Sequence, residues 1–188
     1  MLGSAVLLGA EWEPVRVATG AGPSGAAAAG TKTIDFIELR GTIDPPSSRY
    51  LLRHIDQASR GGSHLIVVKL NTPGGLDISM REIVERMLSS KVPIVVWVSP
   101  SGARAASAGV FITYAAHVAV MAPGTSIGAA HPVNLGGKLD EVTSAKVTND
   151  AAAYIRSIAR QRGRNPDWAE KAVRESAALA AEEAARQG

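Results

Sequence analysis

Apolar residues recur along this chain in two rhythms, and the way they alternate lays out a fold. From Thr33, "TIDFIELRG" alternates apolar and polar positions, as a strand with one buried face does. After the turn-like "DPPSS" the spacing changes, and Ser47 to Ser59 is predicted to be helical. "HLIVVKL", His64 to Leu70, is a short β-branched run suited to a buried parallel strand. Beyond the loop "NTPGGL", Met80, Ile83, Val84, Met87 and Leu88 fall at i, i+3, i+4, i+7 and i+8, one face of a helix. Asp77 is placed to cap it. "VPIVVWV" and "HVAVMA" supply further strands. From Thr143 the pattern is helical through Gln161, and another helix follows with Asn165 at its cap and Pro166 at its first position. Strand and helix alternate through short connections, which predicts an α/β fold with a mainly parallel sheet and flanking helices.

The rhythm is absent upstream. "TGAGPSGAAAAGTK", Thr19 to Lys32, is a Gly/Ala/Pro/Ser linker with too little apolar bulk to pack. Residues 1–32 are therefore expected to be a disordered leader and 33–188 a single folded domain. "MLGSAVLLGA" resembles the apolar end of a signal peptide but lacks its basic start, leaving a processed leader and a plain tail both open. No stretch is a transmembrane candidate, so this chain itself is expected to be soluble.

Composition narrows the chemistry. Aromatic residues are only 4% of the chain, so the core must be built from Ala, Val, Ile and Leu. The formal charge of +3 comes from scattered Lys and Arg, without the basic stripe and stacking aromatics that nucleic-acid binding favours. There is no cysteine, which excludes disulfides, thiolate zinc sites and a cysteine nucleophile.

Two glycine-containing loops follow two successive strands: "NTPGGL" after Leu70 and "SPSGARAASAG" after Val98. In open α/β sheets ligands bind beyond the carboxyl ends of the strands, so both loops should face one crevice. Gly74 and Gly75 have the conformational freedom to turn backbone N–H groups outward. Ser107 stands at a helix start, beside unpaired N–H groups and the positive end of the helix dipole. A nucleophile, adjacent N–H donors and a glycine loop are the parts of an acyl-transfer site. The competing reading is structural: small residues for close packing and a serine as helix cap.

A nucleophilic serine needs a base. His54, His64 and His117 sit in or beside regular elements, which leaves His131 in "GTSIGAAHPV" as the histidine candidate. A lysine can replace it if the amine is neutral, a state that burial favours. Lys146, in "SAKVTNDAAAYI", lies among small and apolar residues near a helix N-terminus, and Lys138 in "GGKLDE" looks exposed. The residue pattern leaves Lys146 and His131 both open.

Three stretches together, "TPGG", "ARAASAG" and "MAPGTSIGAAHPV", closely resemble the N-terminal protease domain of the NfeD family, ClpP-class membrane-bound serine proteases encoded beside stomatin-like proteins. The likeness continues through "KVTNDAAAYIRSIAR" and "RGRNPDWAEKAVRES", from about Thr33 to the end. It implies a ClpP/crotonase-like fold and a Ser–Lys dyad of Ser107 and Lys146, with the N–H groups of Gly75 and Ala108 as the oxyanion hole. Pro73, Gly74 and Leu76 would shape a groove in which an extended peptide could add as a strand. The resemblance further implies apolar peptide substrates, a stomatin-like membrane partner and a homodimer, with no metal or cofactor. It places the full-length protein at the membrane with its protease domain extracytoplasmic.

Three departures accompany the likeness. His131 lies near the place where related ClpP peptidases carry a triad histidine. The family continues past "EEAARQG" into a further strand, so the domain is expected to be truncated before it. Ala180 replaces the usual Ser or Thr cap before "AEEA". Two rival functions stay open: a peptide-binding module with an idle serine, and a crotonase-like enzyme acting on thioesters through the same paired N–H donors.

Overall fold

The computed structural model describes residues 32–133 and 140–188, so the expected leader lies outside the described residues apart from Lys32. Four parallel strands form the main sheet in the order β1-β2-β3-β5: β1 (Ile34–Arg40), β2 (Leu65–Asn71), β3 (Ile94–Val98) and β5 (Val118–Met121). Helices α1 (Pro45–Arg60), α2 (Asp77–Leu88) and α3 (Ala108–Ala115) form the crossovers between consecutive strands of this sheet. α4 (Glu141–Gln161) and α5 (Pro166–Arg174) follow, and α4 packs on α3. The predicted α/β class and parallel pairing therefore hold, along with all four strands and the main helices.

Side-chain alternation decides where the core sits. Ile37 and Leu39, Ile66, Val68 and Leu70, and Ile94, Val96 and Val98 are buried on one face of the sheet. The other face is less covered: Phe36 of β1, Trp97 of β3 and Val118 of β5 remain exposed. The unbroken apolar runs suggested burial on both faces, and β3 and β5 do not achieve it.

A second sheet escaped prediction. β4 (Arg104–Ala105) and β6 (Ser126–Gly128) pair in parallel, and β7 (Ala178–Ala180) joins β6 antiparallel before α6 (Ala181–Gln187). Strands of two or three residues are too short to show any periodicity. Their pairing is fixed by partners distant in sequence.

The helix starts follow the capping rules with one correction. Asn165 Oδ1 accepts from the N–H groups of Asp167 and Trp168, with Pro166 behind it, as predicted. Asp77 is not a cap: Leu76 holds that position without a side-chain bond, and the Asp77 carboxylate turns to Arg81 one turn along the helix. At Ala180 no side-chain cap exists, and the Glu183 carboxylate accepts from the Ala180 N–H instead.

Candidate active site

Ser107 lies between β4 and α3 with φ 52° and ψ −115°, a conformation that costs a non-glycine residue about 1–3 kcal/mol. Its surroundings enforce it. The Ser107 N–H donates to Ala129 O at 2.7 Å, and the preceding Ala106 N–H donates to Thr72 O at 3.1 Å. Gly109 then brings α3 onto the first loop, since a Cβ there would stand 2.6 Å from Thr72 Cγ2. Ser107 occupies the N-cap position, yet its hydroxyl makes no capping bond. The structural reading, in which it serves as an ordinary cap, is not what the helix shows.

The loop after β2 closes on the same point. Gly74 has φ +114°, and Thr72 Oγ1 accepts from its N–H at 3.0 Å. Gly75 pairs with Ile43 as an isolated parallel bridge, so close that a Cβ would overlap the Ile43 carbonyl oxygen. Among the described residues, neither the Gly75 N–H nor the Ala108 N–H has an acceptor. Both residues line a cavity of about 450 Å³ that also holds Ser107 and Lys146. Two free donors and a strained, uncapped serine at one opening are equipped to hold a tetrahedral oxyanion.

The remaining predicted residues divide. Lys146 reaches the cavity from the second turn of α4, but it is exposed and not buried as expected. Of the residues around it that suggested burial, Ala145 and Val147 are themselves exposed, and the buried positions, Ala151 and Ala152, come a turn later. His131 is not among the lining residues, and its Nδ1 is within 2.9 Å of Val173 O, on the α5 side. Pro73, Gly74 and Leu76 flank the cavity without lining it. Gly74 is buried beneath Ser107, and Leu76 is exposed at the rim, its N–H donating to Ile43 O. Lys138 lies outside the described residues.

Several lining groups were not anticipated. Phe111, Pro132 and Val133 supply apolar wall, and Val147 lies next to Lys146. Asp77 and Arg81 from α2 meet Asp150 from α4: Arg81 Nε donates to Asp77 Oδ2 at 2.8 Å and its Nη2 to Asp150 Oδ2. The guanidinium also lies 4.5 Å over the Tyr154 ring. Burial works against the arginine's charge, but the two carboxylates outweigh it and raise its pKa above the ordinary value. The i, i+4 spacing of Asp77 and Arg81 was visible in the sequence, whereas their meeting with Asp150 depends on how α2 and α4 pack. A second hollow, about 530 Å³, runs along β5 against α6 and is lined by neither serine nor lysine.

The sequence profile described as "NfeD1b, N-terminal domain" matches residues 33–188. "Membrane-bound protease PH1510" of Pyrococcus horikoshii is 38% identical over 161 residues, 84% of this chain and 36% of that protein. "Membrane protein NfeD1b" of Bacillus subtilis is 28% identical over 138 residues, 73% of this chain and 30% of that protein. The chain thus spans about a third of the length of these relatives. Among solved structures, a serine-to-alanine mutant of the 1510-N membrane-bound stomatin-specific protease superposes with TM-score 0.78 at 36% identity, covering 85% of this chain and 78% of that one. A lysine-to-alanine mutant of the same protease, in complex with a substrate peptide, gives 0.77 at 35% identity, covering 84% and 73%. ClpP1 from Listeria monocytogenes gives 0.63 at 19% identity over 81% and 86%, which identifies the fold as that of ClpP.

Proposed function

The chain belongs to the NfeD1b N-terminal domain family, and on that premise we propose that it is a serine endopeptidase in which Ser107 and Lys146 form the catalytic dyad. The observation that carries the reading is the junction of three features at one cavity: the strained, uncapped Ser107, the acceptor-free N–H groups of Gly75 and Ala108, and Lys146. Homology to a protease whose serine-to-alanine and lysine-to-alanine mutants have been solved, the latter with substrate peptide, supports assigning those two residue types.

In the reaction, neutral Lys146 Nζ takes the proton from Ser107 Oγ, and the oxygen attacks the scissile carbonyl carbon. The Gly75 and Ala108 N–H groups hold the oxyanion. As the tetrahedral adduct collapses, the lysine ammonium passes its proton to the departing amine, leaving an ester on Ser107. Water, deprotonated by the same lysine, then hydrolyses that ester.

A general base must be neutral, and exclusion of water favours the neutral form of an amine, so the dyad works with the cavity covered. The opening offers this: Val133 and Val147 of its lining, and Leu76 beside the lining residue Gly75, are exposed apolar side chains. An apolar peptide laid across them excludes water from Lys146, and a second copy of the chain in a homodimer would extend the cover. A stomatin-like membrane protein is the substrate that the name of the solved relative suggests, and the exposed apolar side chains at the opening favour its apolar segments. In the same reading the whole protein works at a membrane with this domain extracytoplasmic; no described helix is long and apolar enough to cross one.

The exposure of Lys146 also favours a second reading, a peptide-binding module with an idle serine. Cleavage of an apolar peptide library by wild type, Ser107→Ala, Lys146→Ala and His131→Ala, followed from mildly acidic to alkaline pH, separates the cases. The dyad predicts loss with the first two variants only, by about 10⁴-fold or more. A dead His131→Ala reassigns the base, and stoichiometric binding without cutting by wild type replaces the peptidase by the module.

A further inference from the structure

We infer that Arg81 is a positioning residue that keeps Asp150 from pairing with Lys146, so that the lysine stays available to Ser107. The inference rests on the proposed dyad and adds a residue to it.

Asp150 is four residues after Lys146 on α4, the spacing at which oppositely charged side chains meet on a helix surface. Left alone, that carboxylate would draw the ammonium along the helix and stabilise its protonated form. Both effects oppose a general base. In the structure Asp150 is engaged elsewhere: its Oδ2 accepts from Arg81 Nη2, while Arg81 Nε is held by Asp77. The guanidinium carbon lies over the ring of Tyr154, one turn beyond Asp150, so the arginine has three supports.

The charge inventory of the cavity makes Arg81 decisive. Among the described lining residues, the charged groups are Asp77 and Arg81 from α2, and Lys146 and Asp150 from α4. α3 contributes Ala108 and Phe111, and the segment after β6 contributes Ala130, Pro132 and Val133, none of them charged. Before Lys146, Glu141 stands in the first turn of α4 and Asp140 caps it, its carboxylate occupied by Thr143. Two cations thus face two carboxylates. Removing Arg81 leaves two carboxylates around a single lysine and frees the nearer of them.

The test compares wild type, Arg81→Met, Asp150→Asn and the double variant. Methionine keeps an apolar stem over Tyr154 while removing the charge. The first readout needs no catalysis: the pH dependence of Lys146 acetylation by a trace amine reagent, followed by mass spectrometry. Arg81→Met should move the half-labelling pH of Lys146 upward by about half a unit or more. Adding Asp150→Asn should return it to the wild-type value. The second readout is peptide cleavage. The alkaline-rising limb should move by the same amount, lowering the rate about threefold below the limb, and the double variant should recover it. An unchanged half-labelling pH in Arg81→Met overturns the inference, as does a shift that Asp150→Asn fails to reverse. A labelling shift in an enzyme whose activity survives Lys146→Ala would retain the Arg81 inference and reject the dyad. If Arg81→Met does not fold, Arg81→Lys takes its place; its single ammonium cannot hold both carboxylates, and a smaller shift in the same direction is required.

Discussion

A methyl group on Gly74 would stand 2.5 Å from the Cβ of Ser107 and 3.0 Å from its hydroxyl oxygen. The two loops that carry the site therefore touch through a position that only hydrogen can fill. Gly74 also holds φ +114°, a region closed to ordinary side chains. Gly74→Ala should consequently displace Ser107 as well as strain the loop. The expected result is a loss of about 10²-fold in kcat/KM, the scale associated with a misplaced reacting group, and a lowered urea midpoint. An alanine variant with wild-type turnover would show that Ser107 is not held by this contact.

A single side chain of the apolar opening should report more on substrate affinity than on chemistry. Val147 lines the cavity beside Lys146 and is exposed. Val147→Ser keeps α4 intact while removing apolar contact, and should raise KM for apolar peptides about tenfold with kcat little changed, within the range for lost contacts in an apolar pocket. Steady-state kinetics on a matched pair of apolar and polar peptides checks it, because the polar peptide should be nearly indifferent.

Acid should loosen the helix starts. The backbone and then the hydroxyl of Ser47, bonded to Asp44, hold that carboxyl below its ordinary range near 3.8. The hydroxyl and then the N–H of Thr143 do the same for Asp140. In the unfolded chain both carboxyls take up a proton at the ordinary value, so between the two values the unfolded state binds more protons. Their stabilisation is complete above about pH 4 and is lost as pH falls through the depressed folded values. Thermal melts from pH 6 to pH 2.5 should show a downward slope on the acid side. The slope should be shallower in Asp44→Asn/Asp140→Asn than in wild type.

Asn165 joins α5 to the rest of the domain. Its Oδ1 accepts from two N–H groups at the start of α5, and its Nδ2 donates to Gln187 O. Three residues on, Trp168 is buried with its ring stacked 5.9 Å from Tyr114 of α3. Asn165→Ala should cost about 1 kcal/mol as a lost cap, lowering Tm by about 2–4 °C for a domain of this size. Calorimetry reads it directly, and activity measured well below Tm should be unchanged.

What could be read in advance followed from local rules. Helix faces such as Met80, Ile83, Val84 and Met87, all now buried, announce themselves through spacing that a single element imposes. The same holds for the Asn165–Pro166 start of α5 and for the β-branched strands. The serine among alanines at Ala105–Gly109 was legible for a related reason: only small residues permit α3 to approach Thr72 so closely. Asp77 misled because a carboxylate at a helix start has two local uses, capping and pairing at i+4, and Arg81 made the second available.

The sequence by itself determined the α/β order, the parallel pairing and the convergence of two glycine loops on Ser107, since each depends on neighbours within a few residues or one crossover. Tertiary structure alone decided the rest. It set the three short strands of the second sheet, whose hydrogen-bond partners lie up to about fifty residues away. It turned Lys146 toward solvent, because which side of α4 is buried depends on where α3 and α5 lie against it. It also brought Arg81 to Asp150 across 69 residues of chain. Burial and charge pairing between elements are properties of their packing, and no periodicity within one element encodes them.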